Sequence, residues 1–122
     1  MNQIKKKIGI WIRVSTSMQV ENESPEVHLK RAEAYVQAKD WQVVKVYQLD
    51  GKSGKSILDY PQAIEMMEDV KNGVITGLVF SKLARLARNT KELLDIAEYF
   101  EKHNCDLVSL GESIDTSTPA GR

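Results

Sequence analysis

Ile8, Ile10 and Ile12 alternate with Gly9, Trp11 and Arg13, so both faces of this short run are mainly apolar. A strand apolar on both faces belongs inside a sheet that is covered by helices on both sides. Three more strand-forming runs follow at Val43–Leu49, Leu78–Phe80 and Asp106–Leu110. Segments of helical spacing separate them. Ser24-Pro25-Glu26 supplies an N-cap, a proline at the first helical position and an early acid, and Leu29, Ala32 and Val36 carry a helix to about Lys39. Ala63, Ile64, Met67 and Val70 mark a second helix, opened near Asp59 to Pro61 and closed by Asn72-Gly73. A third helix, with Thr90 as its N-cap, carries Leu93, Leu94, Ala97 and Phe100 on its inner face and ends around His103-Asn104. This alternation predicts an α/β three-layer sandwich: a mainly parallel sheet of four or five strands, helices on both faces and right-handed crossovers. The stretch from Gly111 to Arg122 has neither period and reads as irregular.

A chain of 122 residues with 42% hydrophobic content suits one domain with one core. Basic and acidic residues balance at 17 each, which argues against a surface that grips nucleic acid everywhere; such contact must be local. The balance hides an asymmetry, because Lys82 to Lys91 contains basic residues and no acid, whereas Glu92 to Asp115 is mainly acidic. Cys105 is the only cysteine, which excludes an internal disulfide and fits a buried structural thiol in a reducing cytoplasm. Lys5-Lys6-Lys7 ahead of the first strand imitates a signal peptide, but the apolar run is too short and ends at Arg13. No segment is long enough to span a membrane.

The chemistry-bearing residues stand at strand exits. Ser15 lies two residues past Arg13, and the run Leu78–Phe80 leads into Ser81-Lys82-Leu-Ala-Arg85-Leu-Ala-Arg88-Asn89. In an open parallel sheet the ligand crevice lies outside the carboxyl ends of the strands, so neighbouring exits would combine these groups into an anion site that contains a nucleophile. A serine hydroxyl needs assistance from a base or a positive field. His28 on the first helix and His103 at the far end of the third offer no evident triad, which leaves arginine, whose fork holds phosphate oxygens and stays charged. Arg85 and Arg88, three apart, are predicted on one face of a helical turn, with Leu83 and Leu86 anchoring the other. Taken singly, Ser15 is a turn or cap residue and the arginines a solvated pair; at adjoining exits they make a site. Gly51-Lys-Ser-Gly-Lys-Ser56 suggests a nucleotide-binding P-loop, but the spacing fails because Leu49 stands where the first glycine is required. The remaining alternative is a non-catalytic α/β phosphate- or nucleotide-binding module of the flavodoxin-like kind, in which the arginines bind and Ser15 only caps.

Arg13-Val-Ser15-Thr16 with Gln19, then Ser53-Gly54-Lys55, then Lys82-Leu-Ala-Arg85-Leu-Ala-Arg88-Asn89, then Ile114-Asp-Thr-Ser-Thr-Pro-Ala-Gly-Arg122 occur in that order. The series resembles the catalytic domain of the serine recombinases, the resolvase and invertase family. The resemblance implies strand order 2-1-3-4 and a site-specific recombinase in which Ser15 cleaves DNA through a 5′-phosphoserine intermediate before strand exchange and religation. It implies that Arg13, Arg85 and Arg88 are catalytic, that Gln19, Asp50, Ser53 and Lys82 support the site and bind phosphate, and that no metal or other cofactor is needed. It further implies DNA as partner, a homodimer forming a synaptic tetramer in the full-length protein, and a cytoplasmic setting with a bacterial, phage or mobile-element origin. On this reading residues 1–122 form a single catalytic domain, truncated before the interface helix and the DNA-binding region. The connection Val20-Glu-Asn-Glu-Ser24, longer than in compact resolvases, leans toward the large serine recombinases or transposon recombinases. Three positions depart from the family pattern: Ala84 replaces an aspartate, Tyr60 an arginine, and His28 a glutamine.

Overall fold

The computed structural model describes residues 5–14, 24–50 and 59–118, leaving aside the side chains of Val14 and Asp50. In chain order the elements are β1 (Lys7–Val14), α1 (Pro25–Ala38), β2 (Gln42–Asp50), α2 (Pro61–Lys71), β3 (Gly77–Phe80), α3 (Leu83–Leu86), α4 (Thr90–Lys102), β4 (Asp106–Ser109) and β5 (Ile114–Asp115). They build a five-stranded sheet in the order β2-β1-β3-β4-β5, parallel throughout except for β5, which runs antiparallel to β4. The expected strand order holds, and β5 extends it. Two residues are too few to carry a period, and β5 is fixed instead by reciprocal bonds between Leu107 and Thr116 at the edge of β4.

Alternation along β1 divides the core in two. Ile8, Ile10 and Ile12, with Val79 and Val108, pack against Ala32 and Val36 of α1. Trp11, with Tyr47, Leu49, Leu78 and Phe80, packs against Ala63, Met66 and Val70 of α2 and Ile96 and Phe100 of α4. The sheet therefore has helices on both faces, and β1 is central, as its doubly apolar pattern requires. Burial of each such large side chain contributes about 1.5–3 kcal/mol. Gly9 shares the Trp11 face, where an added Cβ would stand 2.7 Å from Tyr47 Cε2, so only glycine lets that ring lie against β1.

Two helical faces differ from the expectation. Ile64 is 55% and Leu94 63% exposed, and Met66 and Ile96 occupy the inner positions. Each displaced residue sits about 100° around the helix from a true core position, and the docking of Ala63, Val70 and Phe100 on the sheet decides between the two faces. The N-cap of α4 is Asn89 rather than Thr90: its backbone is extended, and its side chain accepts from Glu92 N at 2.8 Å. The Glu92 carboxylate in turn accepts from Arg88 N at 2.9 Å, a reciprocal arrangement at the helix start. Both Asn and Thr can cap, so only the point where the chain leaves α3 selects Asn89. Asn89→Ala is expected to cost about 1 kcal/mol of stability in urea unfolding, and an unchanged midpoint would show that the cap contributes nothing.

Candidate active site

β1 pairs with β3 as far as Trp11 opposite Phe80, the last residue of β3, so Ile12, Arg13 and Val14 project beyond the β3 exit. On its other side β1 runs level with β2, Arg13 opposite Leu49 and Val14 opposite Asp50. The space past Phe80 is filled by the single turn α3. Leu86 is fully buried among the residues around Trp11, and Leu83 packs partly against them, as their spacing predicted. The turn is held from β1: Trp11 Nε1 donates to Arg85 O at 2.8 Å, Arg13 Nε donates to the same oxygen at 3.1 Å, and Arg13 Nη2 donates to Ala84 O at 2.7 Å. A four-residue helix has its last carbonyls unsatisfied from within, and side chains two apart on one strand satisfy them here.

The structure brings Arg13, Arg85 and Arg88 together. Arg13 is held below the usual guanidinium range, first by burial and then by the like charge of Arg85, with a smaller push from Arg88; Tyr60 and Glu92 oppose the shift. Guanidinium starts so far above neutrality that Arg13 stays charged, and the shift reports a crowded cationic corner rather than a neutral group. Arg85 Nε is buried and meets no hydrogen-bond acceptor among the described residues. A buried donor of that kind is rare and calls for an acceptor that the described residues do not supply. The expectation of a single helical face for Arg85 and Arg88 is corrected: α3 ends at Leu86, Ala87 is extended, and Arg88 lies beyond the turn. The extended Ala87, not helical periodicity, sets where Arg88 stands.

Lys82 is placed differently. With His28, Arg31, Ser81, Leu110 and Gly111 it lines a pocket of about 200 Å³ on the α1 side of the sheet. Ser15, Gln19 and Ser53 lie outside the described residues, as do the Gly51–Ser56 loop and the side chain of Asp50. The backbone of Asp50, paired with Val14, nevertheless brings the β2 exit beside the residue that precedes Ser15. Two contributors were missed from sequence. Trp11 carried a signal, lying on the Arg13 face of an alternating strand. Glu112 carried none: its carboxylate accepts from Leu83 N at 3.2 Å and from the Ser109 hydroxyl, and so caps α3 from the β4 exit.

The Ile114–Ser117 stretch makes a polar knot. Asp115 accepts from Ser117 N at 2.9 Å and from the hydroxyls of Ser117 and Tyr35, and pairs with Lys39 at 3.4 Å. Burial raises its pKa, but the hydrogen bonds from Ser117 and Tyr35 and the charge of Lys39 outweigh burial and hold it below the usual value. The stabilisation is therefore complete above the unfolded value of about 4 and lost as pH falls through the folded one. Asp115→Asn is expected to flatten the acid limb of the stability profile; an unaltered limb would assign acid sensitivity elsewhere. Cys105 is buried as expected, and burial pushes its thiol up to about 12. No helix among the described residues is long and apolar enough to cross a membrane.

Comparison with known proteins gives a consistent result. The family model described as "Resolvase, N terminal domain" matches residues 8–122. Transposon Tn917 resolvase from Enterococcus faecalis is 38% identical over 64 residues, which is 52% of this chain and 34% of that protein, so the match spans about a third of that relative's length. Among solved structures, the N-terminal catalytic domain of TP901-1 integrase is similar with a TM-score of 0.84 at 36% identity, covering 95% of this chain and 86% of that one. A resolvase family site-specific recombinase from Streptococcus pneumoniae is similar with a TM-score of 0.78 at 35% identity, covering 93% of this chain and 78% of that one.

Proposed function

The chain belongs to the family of resolvase N-terminal domains, and from that premise we propose that it is the catalytic domain of a serine site-specific recombinase acting on DNA. The hydroxyl oxygen of Ser15 attacks the scissile phosphorus. A bond from Ser15 Oγ to phosphorus forms, the bond to the 3′-oxygen breaks, the serine proton passes to solvent water and the leaving 3′-oxygen takes one from solvent water. The products are a 5′-phosphoserine link and a free 3′-hydroxyl, and attack by a 3′-hydroxyl reverses the step after strand exchange. One phosphodiester is exchanged for another of the same kind, so the chemistry requires no nucleotide and no metal.

Arg13, Arg85 and Arg88 neutralise the charge that develops on the non-bridging oxygens, the task for which preorganised donors are most effective. Gln19, Asp50 and Ser53 support the phosphate and the nucleophile, and Lys82, beside α1, contacts the DNA backbone. With Ala84 in place of the family's aspartate, that position provides no proton donor. We assign dimer pairing, the synaptic tetramer and recognition of the DNA sequence to parts of the recombinase outside these residues.

The observation that carries this reading is the docking of Arg13, at the end of β1 and two residues before Ser15, on the backbone of Ala84 and Arg85, with Arg85 Nε buried and without an acceptor among the described residues. The test is covalent trapping: a DNA site nicked opposite the cleavage point is incubated with the recombinase, and the attached residue is mapped by proteolysis and mass spectrometry. Attachment at Ser15 is expected. DNA binding without any adduct would return the chain to the non-catalytic phosphate-binding alternative.

A further inference from the structure

We propose that Trp11 is a positioning residue for the phosphate-binding arginines, its indole N–H fixing the α3 turn independently of Arg13; this rests on the phosphoryl-transfer reading above. Within the turn the chain supplies little of its own: Arg85 N bonds Lys82 O at 2.9 Å and Ala87 N bonds Leu83 O at 3.1 Å. So short a helix does not hold itself together. The carbonyls of Ala84 and Arg85 are held by three donors from β1, and two of the three belong to Arg13.

Arg13 has two competing uses. In this structure two of its five N–H groups go to Ala84 O and Arg85 O, and the reaction asks the same guanidinium to face a phosphate. Three N–H groups remain for an anion, and a guanidinium drawn toward it on that side loosens its bonds to the two carbonyls. Trp11 has no such conflict. Its indole is neutral, 1% exposed and packed beside the Tyr47 ring at 6.4 Å between centroids, so its N–H stays at 2.8 Å from Arg85 O. That bond keeps Arg85 and the start of the path to Arg88 in place while Arg13 shifts to meet the phosphate. Misplacement of a catalytic donor by about 1 Å costs up to about 10²-fold in rate, so one buried bond to the backbone of Arg85 has leverage beyond its own strength.

The experiment replaces Trp11 by β-(3-benzothienyl)alanine, which keeps the bicyclic shape and exchanges the N–H for sulfur, with Trp11→Phe as a second variant. In the DNA-free protein, amide exchange at Ala87 is expected to quicken while the core amides of β1 and β3 stay protected. With saturating nicked DNA, adduct formation at Ser15 is expected to slow about tenfold while the dissociation constant for DNA stays within about twofold. Unchanged adduct rate and unchanged Ala87 exchange in the isostere would overturn the proposal. So would a loss seen only in Trp11→Phe together with a lower melting temperature, since that pattern belongs to packing. If the unsubstituted protein forms no adduct, the recombinase reading fails on its own account, and Ala87 exchange still decides whether the indole holds the turn.

Discussion

Ser15→Ala is expected to abolish the covalent DNA adduct while DNA affinity remains within about twofold of the unsubstituted protein. Removal of the alcohol leaves nothing at that position to form the bond to phosphorus. Water is a poor substitute, because the arginine corner stabilises charge on phosphate oxygens and a guanidinium, always protonated, cannot act as the base that activates a solvent molecule. Affinity is a separate matter: it comes from cations on the backbone phosphates, and a single neutral hydroxyl adds little to that sum. The measurement is adduct yield on nicked DNA beside an equilibrium binding curve at the same salt concentration. An adduct that survives the substitution would remove Ser15 from the mechanism, and a parallel collapse of binding would point to misfolding of the β1 exit.

Arg13→Lys is expected to lower the cleavage rate by about 10²- to 10³-fold although the positive charge is kept. Arg13 gives Nε to Arg85 O at 3.1 Å and Nη2 to Ala84 O at 2.7 Å, a fork that a lysine ammonium cannot reproduce from one nitrogen. The substitution thus loses both the bidentate approach to phosphate and two of the three bonds that hold α3 to β1. DNA binding should change little, since the net charge is unaltered. Single-turnover cleavage at saturating DNA separates the two effects. Cleavage at the original rate would confine Arg13 to holding the turn and leave Arg85 and Arg88 as the phosphate ligands.

The extent to which the site could be read in advance differs from residue to residue. Arg13 and Arg85 were identifiable because the one closes a buried apolar run and the other follows a buried strand, and the parallel sheet brings the ends of such strands together. Leu83 and Leu86 were identifiable as anchors from their spacing. The fate of Arg88 was not, because the extended Ala87 is a local break that no periodicity announces. Ile64 and Leu94 were misread as core for a related reason: a helix with apolar residues on two adjoining stripes does not say which stripe meets the sheet, and packing chooses. Trp11 and Glu112 act across 74 and 29 residues of chain, and contacts of that range leave no local pattern.

By itself the sequence determined that β1 must be central, that the connections are helical and that basic residues collect at the strand exits, because period and side-chain polarity act over a few residues and are written directly in the chain. Only the tertiary structure decided that Arg13 gives two donors to the carbonyls of α3, that Arg85 Nε finds no acceptor among the described residues, and that Lys82 lines a pocket beside α1. Hydrogen bonds are directional and short, so which donor meets which acceptor is settled only when distant strands and turns have docked.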